Sequence, residues 1–417
     1  MFMQFEIVVR NSTPMIIGWY DPLKIDPQGL RATEIKGLWR WWSRAFIGGA
    51  LYDEGFLHGI SQGNILLKPT NEEAECISRL VGKIMGLGFA GSEKDAEASR
   101  FILYTEPIEK LIEKNKCEDE LQRIKLLSLP IKKHKQEMQI ECIKSGYTFK
   151  ITVSKRYEKY RDAEELALKV LVVALQLMGL GKGSKRGLGS LDIEDIDISY
   201  FSVATNRLKE LISKIYEDCR NIVKKYYVQC CKPSVAKVKE SDIQTPPPLP
   251  VISRKSIDNL NVAQIIIARN TSFKNVHNFF IRSERCKTLY QKVNQKVKCD
   301  DDLRKSHNAW ILGLPRKQKQ RLPRKQIQTG YEMKGFSRRA SPIMLSYHKD
   351  KNIFGEGVFI SIFLSGDWPK HLTWYGLRGK QQIYIDFNRL YNAYHIAIDE
   401  FMRYLKAINA KIEHVWP

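Results

Sequence analysis

Nothing in this sequence is apolar enough for long enough to cross a bilayer. The longest apolar run, Leu166–Leu180, is broken by Lys169 and falls short of the roughly 20 residues a span needs. Metal-site spacing is missing too. The eight cysteines include no CxxC pair, and none stands near histidines at zinc-ligand spacing, so no metal and no cofactor is expected. The bunched acids Asp192, Glu194, Asp195 and Asp197 lie on a strand-like run and read as its polar face. Met1–Arg10 alternates like a first strand, with Phe5, Ile7 and Val9 on one face, so no export signal is expected. Scattered cysteines without one fit a reducing cytoplasm, and the adjacent Cys230 and Cys231 read as incidental.

Negative charge is scarce. The chain has 46 Asp and Glu against 68 Lys and Arg, which gives a net charge of +22. Such an excess favours a polyanionic partner, nucleic acid before membrane. At 417 residues, 43% hydrophobic and 27% charged, the chain has the composition of a globular protein with room for two cores.

What is abundant is glycine with cations. Leu177–Ser190 reads LMGLGKGSKRGLGS, with glycines at 179, 181, 183, 187 and 189 and with Lys182, Lys185 and Arg186 between them. A P-loop needs GxxxxGK[ST] between strand and helix, and a dinucleotide fingerprint needs GxGxxG opening a helix. Neither spacing occurs here. An apolar helical run, Leu166–Met178, precedes the loop and an alternating run with Leu191, Ile193, Ile196 and Ile198 follows it. The segment is either a solvated turn or a basic loop that lets the backbone and Lys182, Lys185 and Arg186 approach phosphates, with Gly181 and Gly183 opening the way.

Two further constellations carry charge beside aromatics. Thr33–Ile47 (TEIKGLWRWWSRAFI) has helical spacing, with Thr33 as N-cap and Gly48-Gly49 as stop. Ile35, Leu38, Trp39, Trp42 and Phe46 form a core stripe, and Lys36, Arg40 and Ser43 a polar one with Arg44 beside it. Trp41 points elsewhere and, with Arg40 and Arg44, is expected to stack on a base or sugar; Arg31 adds a cation at the helix start. The stretch Arg304–Arg339 holds eleven Lys and Arg against the single acid Glu332, with Trp310, Tyr331 and Phe336 interleaved. Its glycines and prolines predict a basic, loop-rich segment that binds RNA through Arg316, Arg324, Arg338 and Arg339.

Between these, strands are expected at Gln4–Arg10, Tyr147–Ser154, Gly189–Ser199, Val262–Ala268, Gly357–Leu364 and Gln382–Phe387. Helices are expected at Asp162–Met178, Asn206–Tyr226 and Asn388–Ala410, with a long helical region at Phe273–Lys298. The stiff segment Thr245–Pro250 (TPPPLP) places a domain boundary, dividing the chain into 1–240 and 241–417. None of the eight histidines lies in the glycine loop or the tryptophan helix, so no catalytic set is expected. The rival reading is a metal-independent endoribonuclease with His58 or His307 as base. A third is an assembly protein whose basic face only meets partner subunits.

Together these residues resemble the RAMP proteins of CRISPR systems: a first strand, RATEIKGLWRWWSRAF at 31–46 and GLGKGSKRGLGS at 179–190. The finer resemblance is to the first-numbered RAMP subunit of the type III-B (Cmr) effector complex. It rests on Thr33–Arg44, on Phe89-Ala90-Gly91-Ser92 with Ala98-Ser99-Arg100, and on Gly313–Arg316 with Arg338–Pro342. The second of these departs from the family pattern by the inserted Ala90 and a longer acidic spacer. The resemblance implies an α+β fold of two ferredoxin-like, RRM-like domains packed together, with a glycine-rich loop, helical insertions and a basic cleft. It implies a non-catalytic, cytoplasmic, antiviral RNA-binding subunit that holds the 3′ part of the CRISPR RNA and helps capture target RNA. Its partners would be those RNAs and the other RAMP subunits of a Cmr-type complex, with no membrane.

Overall fold

The computed structural model describes residues 4–417 apart from 22, 93–94, 109–114, 117–130, 134–135, 139, 197–206, 233–236, 240–241, 291, 294–295, 298–300, 315, 323–324, 334–337 and 377–378. In the first half, strand β1 (Gln4–Asn11) leads to helix α1 (Ala32–Asp53) and helix α2 (Asn71–Arg79). Strands β2 (Phe101–Pro107) and β3 (Thr148–Lys155) follow, then helix α3 (Arg161–Leu177), strand β4 (Leu191–Ile196) and helix α4 (Leu208–Cys230). The sheet runs β4-β1-β3-β2 and is antiparallel throughout. Counting strands in chain order gives 4-1-3-2, with α1 and the added α2 after the first strand and α3 after the third, which is the ferredoxin-like arrangement. Strict alternation builds it: Phe5, Ile7 and Val9 are all buried on β1, as expected.

The second half repeats the plan. Strand β5 (Ala263–Arg269) precedes the short helix α5 (Arg282–Leu289). Strands β6 (Arg316–Leu322) and β7 (Lys325–Glu332) lead into β8 (Ile343–His348) and β9 (Gly357–Phe363). Strands β10 (His371–Gly376) and β11 (Gly379–Tyr384), helix α6 (Phe387–Ala407) and strand β12 (Lys411–Trp416) complete the chain. The second sheet runs β8-β9-β5-β12, the same 4-1-3-2 order read from its other edge. The fold is α+β with two such sheets.

Helix α3 joins them. All but four of its 17 residues are buried, because it lies on its own sheet and also touches β8 and β9 of the second. A helix apolar nearly all round has to be covered on both sides. Each fully buried Leu or Val adds about 1.5–3 kcal/mol. Strand β9 is buried along its whole length for the same reason.

Several expectations are corrected. Helix α1 does not stop at Gly48-Gly49 but continues to Asp53, and Thr33 is not its cap: the N-cap position is Arg31, without a side-chain hydrogen bond. The glycines serve close approach. A Cβ on Gly49 would lie 1.6 Å from Ile252 O, where the strap after the proline segment crosses the helix and Ile252 N–H donates to Ala45 O (2.9 Å). The region Phe273–Lys298 is not one long helix; it breaks into Phe273–His277, a 3₁₀ turn Asn278–Phe280 and α5. The basic stretch Arg304–Arg339 is not loop-rich either. Its centre is the β6–β7 hairpin, paired from Arg316↔Tyr331 to Leu322↔Lys325 and extended by β10 and β11 into a third antiparallel sheet. Its strand character comes from ladder hydrogen bonds to neighbours, which a run such as RKQKQRL does not display in its own alternation.

The cysteines are not all scattered thiols. Cys76 of α2 and Cys231, just after α4, form a disulfide, and Cys142 and Cys286 are disulfide-bonded as well, while Cys219 and Cys230 are free and buried. Sequence spacing could not reveal this, since Cys76 and Cys231 are 155 residues apart. Among the described residues no helix is long and apolar enough to cross a membrane.

Candidate nucleic-acid interface

Helix α1 supplies the first wall. Its apolar stripe is buried as expected, and Trp39 is fixed by its indole N–H donating to Ala167 O of α3 (2.6 Å). That anchor sets the rotation of the helix and turns Lys36, Arg40 and Arg44, spaced i, i+4 and i+8, to another face. Lys36 Nζ reaches Phe101 O (3.4 Å), and Arg40 donates through Nε and Nη2 to Leu87 O (2.9 and 2.5 Å). Among the described residues none of the three meets a carboxylate. Burial lowers the pKa of Lys36, helped by the charges of Arg40 and Arg156; burial also lowers that of Arg40, helped by Arg44. The stripe is thus a row of mutually repelling cations. Arg40 and Arg44 line a cavity of about 420 Å³ together with Ser78, Gly82, Phe89 and Glu75, whose carboxylate is taken up by Arg79 (2.8 Å) and Lys232 (2.9 Å). Closely spaced glycines at 82, 86, 88 and 91 are the sequence signal for the Phe89 wall.

A second cluster brings together residues from three separated motifs. The Trp41 ring does not stand free. It lies edge-on to Trp42 and to Phe363 of β9, with centroids 5.0 and 6.0 Å away. Lys185 of the glycine loop sits over it, with Nζ 5.1 Å from the ring centre. Burial lowers the Lys185 pKa, and the nearby Arg339 lowers it further, against the opposing pull of Asp367. Arg339 itself is paired with Asp367 (2.6 Å), donates to Ser365 Oγ (2.9 Å) and lies over Trp368 (4.5 Å).

The glycine loop is a junction more than an open cradle. Gly181 N–H donates to Glu34 of α1 (3.1 Å), Lys182 N–H to Ile16 O (2.9 Å), Arg186 N–H to Gly183 O (2.8 Å) and Gly189 N–H to Pro14 O (3.0 Å). Four of its glycines hold φ between 65° and 82°, which side-chain-bearing residues avoid. Most of its amides are therefore engaged within the protein, contrary to an expectation that they would be directed at phosphates. Arg186 crosses to the second half. It donates to Leu312 O (2.7 Å) and Ile343 O (3.1 Å), and its guanidinium lies 3.6 Å from the Phe280 ring centre. Lys182 and Gly183 are half-buried.

The remaining predicted positions are dispersed. Arg31 pairs with Asp26 (2.9 Å), and Arg338 is exposed. Arg316 is described only as the first position of β6, and Arg324 lies outside the described residues. Of the rival's histidines, His58 is half-buried beyond α1. His307 sits edge-on to Trp374 (4.5 Å), and burial, with Arg389 beside it, lowers its pKa, so it is neutral near pH 7.

Residues 12–192 match the RAMP superfamily model. The sequence matches no curated protein. Among solved structures, the chain is similar to apo Cmr1 from Pyrococcus furiosus at 15% identity and a TM-score of 0.47, over 99% of each chain. It is similar to a chain of a type III-B Cmr-beta assembly bound to cognate target RNA at 14% identity and a TM-score of 0.47, over 96% of this chain and 100% of that one.

Proposed function

From the match of residues 12–192 to the RAMP superfamily model we propose that the protein is a RAMP protein and a non-catalytic RNA-binding subunit of a type III-B (Cmr-type) CRISPR effector complex. In this reading it holds the 3′ part of the CRISPR RNA and helps capture complementary target RNA, alongside other RAMP subunits. The observation that carries it is the stripe Lys36–Arg40–Arg44 beside the 420 Å³ cavity. Like charges at i, i+4 spacing, with Lys36 and Arg40 half-buried, Arg44 exposed and none of the three paired with a carboxylate among the described residues, oppose one another. A phosphate chain relieves that repulsion, whereas a neutral or cationic partner does not. Contacts of this kind address the RNA backbone and are independent of sequence, as a subunit serving varied guides requires.

Fluorescence anisotropy of a single-stranded RNA across a salt series tests it. Log affinity is expected to fall with log salt by about 0.7 for each phosphate neutralised. Replacing Lys36 and Arg44 with alanine should lower both affinity and slope. A flat salt response in the wild-type protein defeats the reading.

The neutral His307, flanked by Trp374 and Arg389, favours a second reading as a metal-independent endoribonuclease. Site-specific cleavage of RNA in EDTA that disappears in His307→Ala would establish it in place of the first.

A further inference from the structure

Two large aromatic rings stand out on the surface next to each other. Trp19 is 42% exposed and Tyr20 73% exposed, and their centroids lie 4.3 Å apart in an edge-to-face pair. The rings occupy the tip of a tight hairpin between β1 and α1. Gly18 bridges to Ile25, Trp19 N–H donates to Lys24 O (3.0 Å), and the Asp21 carboxylate accepts Leu23 N–H (2.9 Å). Below the tip the chain is held firmly. Met15, Ile16, Ile17 and Ile25 are buried, and Ile25 N–H donates to the Glu141 carboxylate (3.2 Å). The anchored base of the hairpin thus presents the two rings to solvent.

Its position matters as much as its exposure. The Ile16 carbonyl at the hairpin base accepts the Lys182 amide, so the rings rise from the same junction as the basic glycine loop. Lys24 is exposed on the hairpin. The acids nearby are engaged: Asp21 closes the turn, Asp26 binds Arg31 (2.9 Å) and Gln28 N–H (2.9 Å), Glu141 accepts Ile25 N–H (3.2 Å) and Glu34 accepts Gly181 N–H (3.1 Å). An open aromatic pair beside the exposed Lys24, on a chain of net charge +22, has the chemistry of a base-stacking platform. We propose that Trp19 and Tyr20 stack on unpaired bases of a single-stranded RNA whose backbone passes the exposed Lys24. This rests on the RNA-binding reading above and adds a site for bases to one for phosphates.

Stacking is worth enough per base that Trp19→Ala with Tyr20→Ala should weaken single-stranded RNA binding about tenfold. Three features mark the role. The salt slope should stay at the wild-type value, affinity for the same RNA paired with its complement should not change, and Trp19→Phe with Tyr20→Phe should restore most of the loss. If the wild-type protein binds the single strand and the double alanine variant binds it equally well, the platform is wrong while the RNA-binding reading stands. If the wild-type protein binds no RNA at any salt concentration, both fall. Unchanged RNA affinity with altered sedimentation of the alanine variant would assign the rings to protein contact and overturn the proposal.

Discussion

His348 Nδ1 lies 3.1 Å from Asp192 Oδ1, and both side chains are buried. The pair ties β8 of the second sheet to β4 of the first. The other ring nitrogen, Nε2, is 2.7 Å from Gln176 O at the end of α3, and Asp192 also accepts Lys349 N–H (3.2 Å). One imidazole thus spans three elements where the two halves meet. Removing it leaves a buried carboxylate with a single amide partner. Leaving a buried group without its hydrogen-bond partner costs about 1–3 kcal/mol, and more for a charged one. His348→Ala should therefore lower the denaturant midpoint by a corresponding amount, whereas His414→Ala, on the outer part of β12, should leave it within about 0.5 kcal/mol. Equal midpoints for both variants would show that the seam does not depend on this pair.

Gly49 illustrates a different kind of dependence. Its missing side chain lets the strap at Ile252 cross α1 at backbone distance, and Ala45 O receives the Ile252 amide there. Gly49→Ala forces the two apart and should destabilise the protein by about 3 kcal/mol, read as a lower unfolding midpoint. Gly37→Ala is the control. It sits in the same helix with nothing near its Cβ, so it should stabilise slightly through helix propensity.

The Gly48-Gly49 pair shows where local sequence signals end. Gly48-Gly49 carries the local signature of a helix end, and only the tertiary crossing of 251–252 reveals another purpose. Alternation and helical spacing made β1, β3, α3, β9 and α6 legible, because each buries one face or all faces of a contiguous run. The β6–β7 hairpin was not legible, since its partners, not its own pattern, make it a strand. At the site, the tryptophan helix, the glycine loop and the Arg339 motif were all visible as charged aromatic segments. Their convergence at Trp41, Lys185 and Arg339 was not, and neither was the engagement of Arg186 and Arg339 with carbonyls and Asp367, because such contacts join residues far apart in sequence.

The Cys76–Cys231 disulfide pins α2 to the end of α4. By the loop-closure account, a crosslink over 155 residues restricts the unfolded chain by about 5 kcal/mol. Cys76→Ser should lose most of that, and non-reducing gel mobility should change accordingly. Cys219→Ser, a buried free thiol, should not alter mobility. A Cys76→Ser variant as stable as wild type under oxidising conditions would rule out a stabilising role for the bridge.

Lys36 offers the sharpest separation of function from stability. Its folded-state pKa is lowered, first by burial and then by Arg40 and Arg156. The unfolded chain therefore holds that proton more tightly than the folded one does, so the lysine's charge opposes folding at neutral pH. The opposition is released as pH climbs through the lowered pKa, and this contribution to stability rises with pH up to the ordinary lysine range. Lys36→Met keeps the apolar stem and removes the charge. It should leave the unfolding midpoint at pH 7 equal to or above wild type, flatten that alkaline gain, weaken RNA binding several-fold, and reduce the salt slope by about 0.7. A variant that unfolds more easily and binds RNA normally would make Lys36 a structural residue and remove the stripe's first member from the interface.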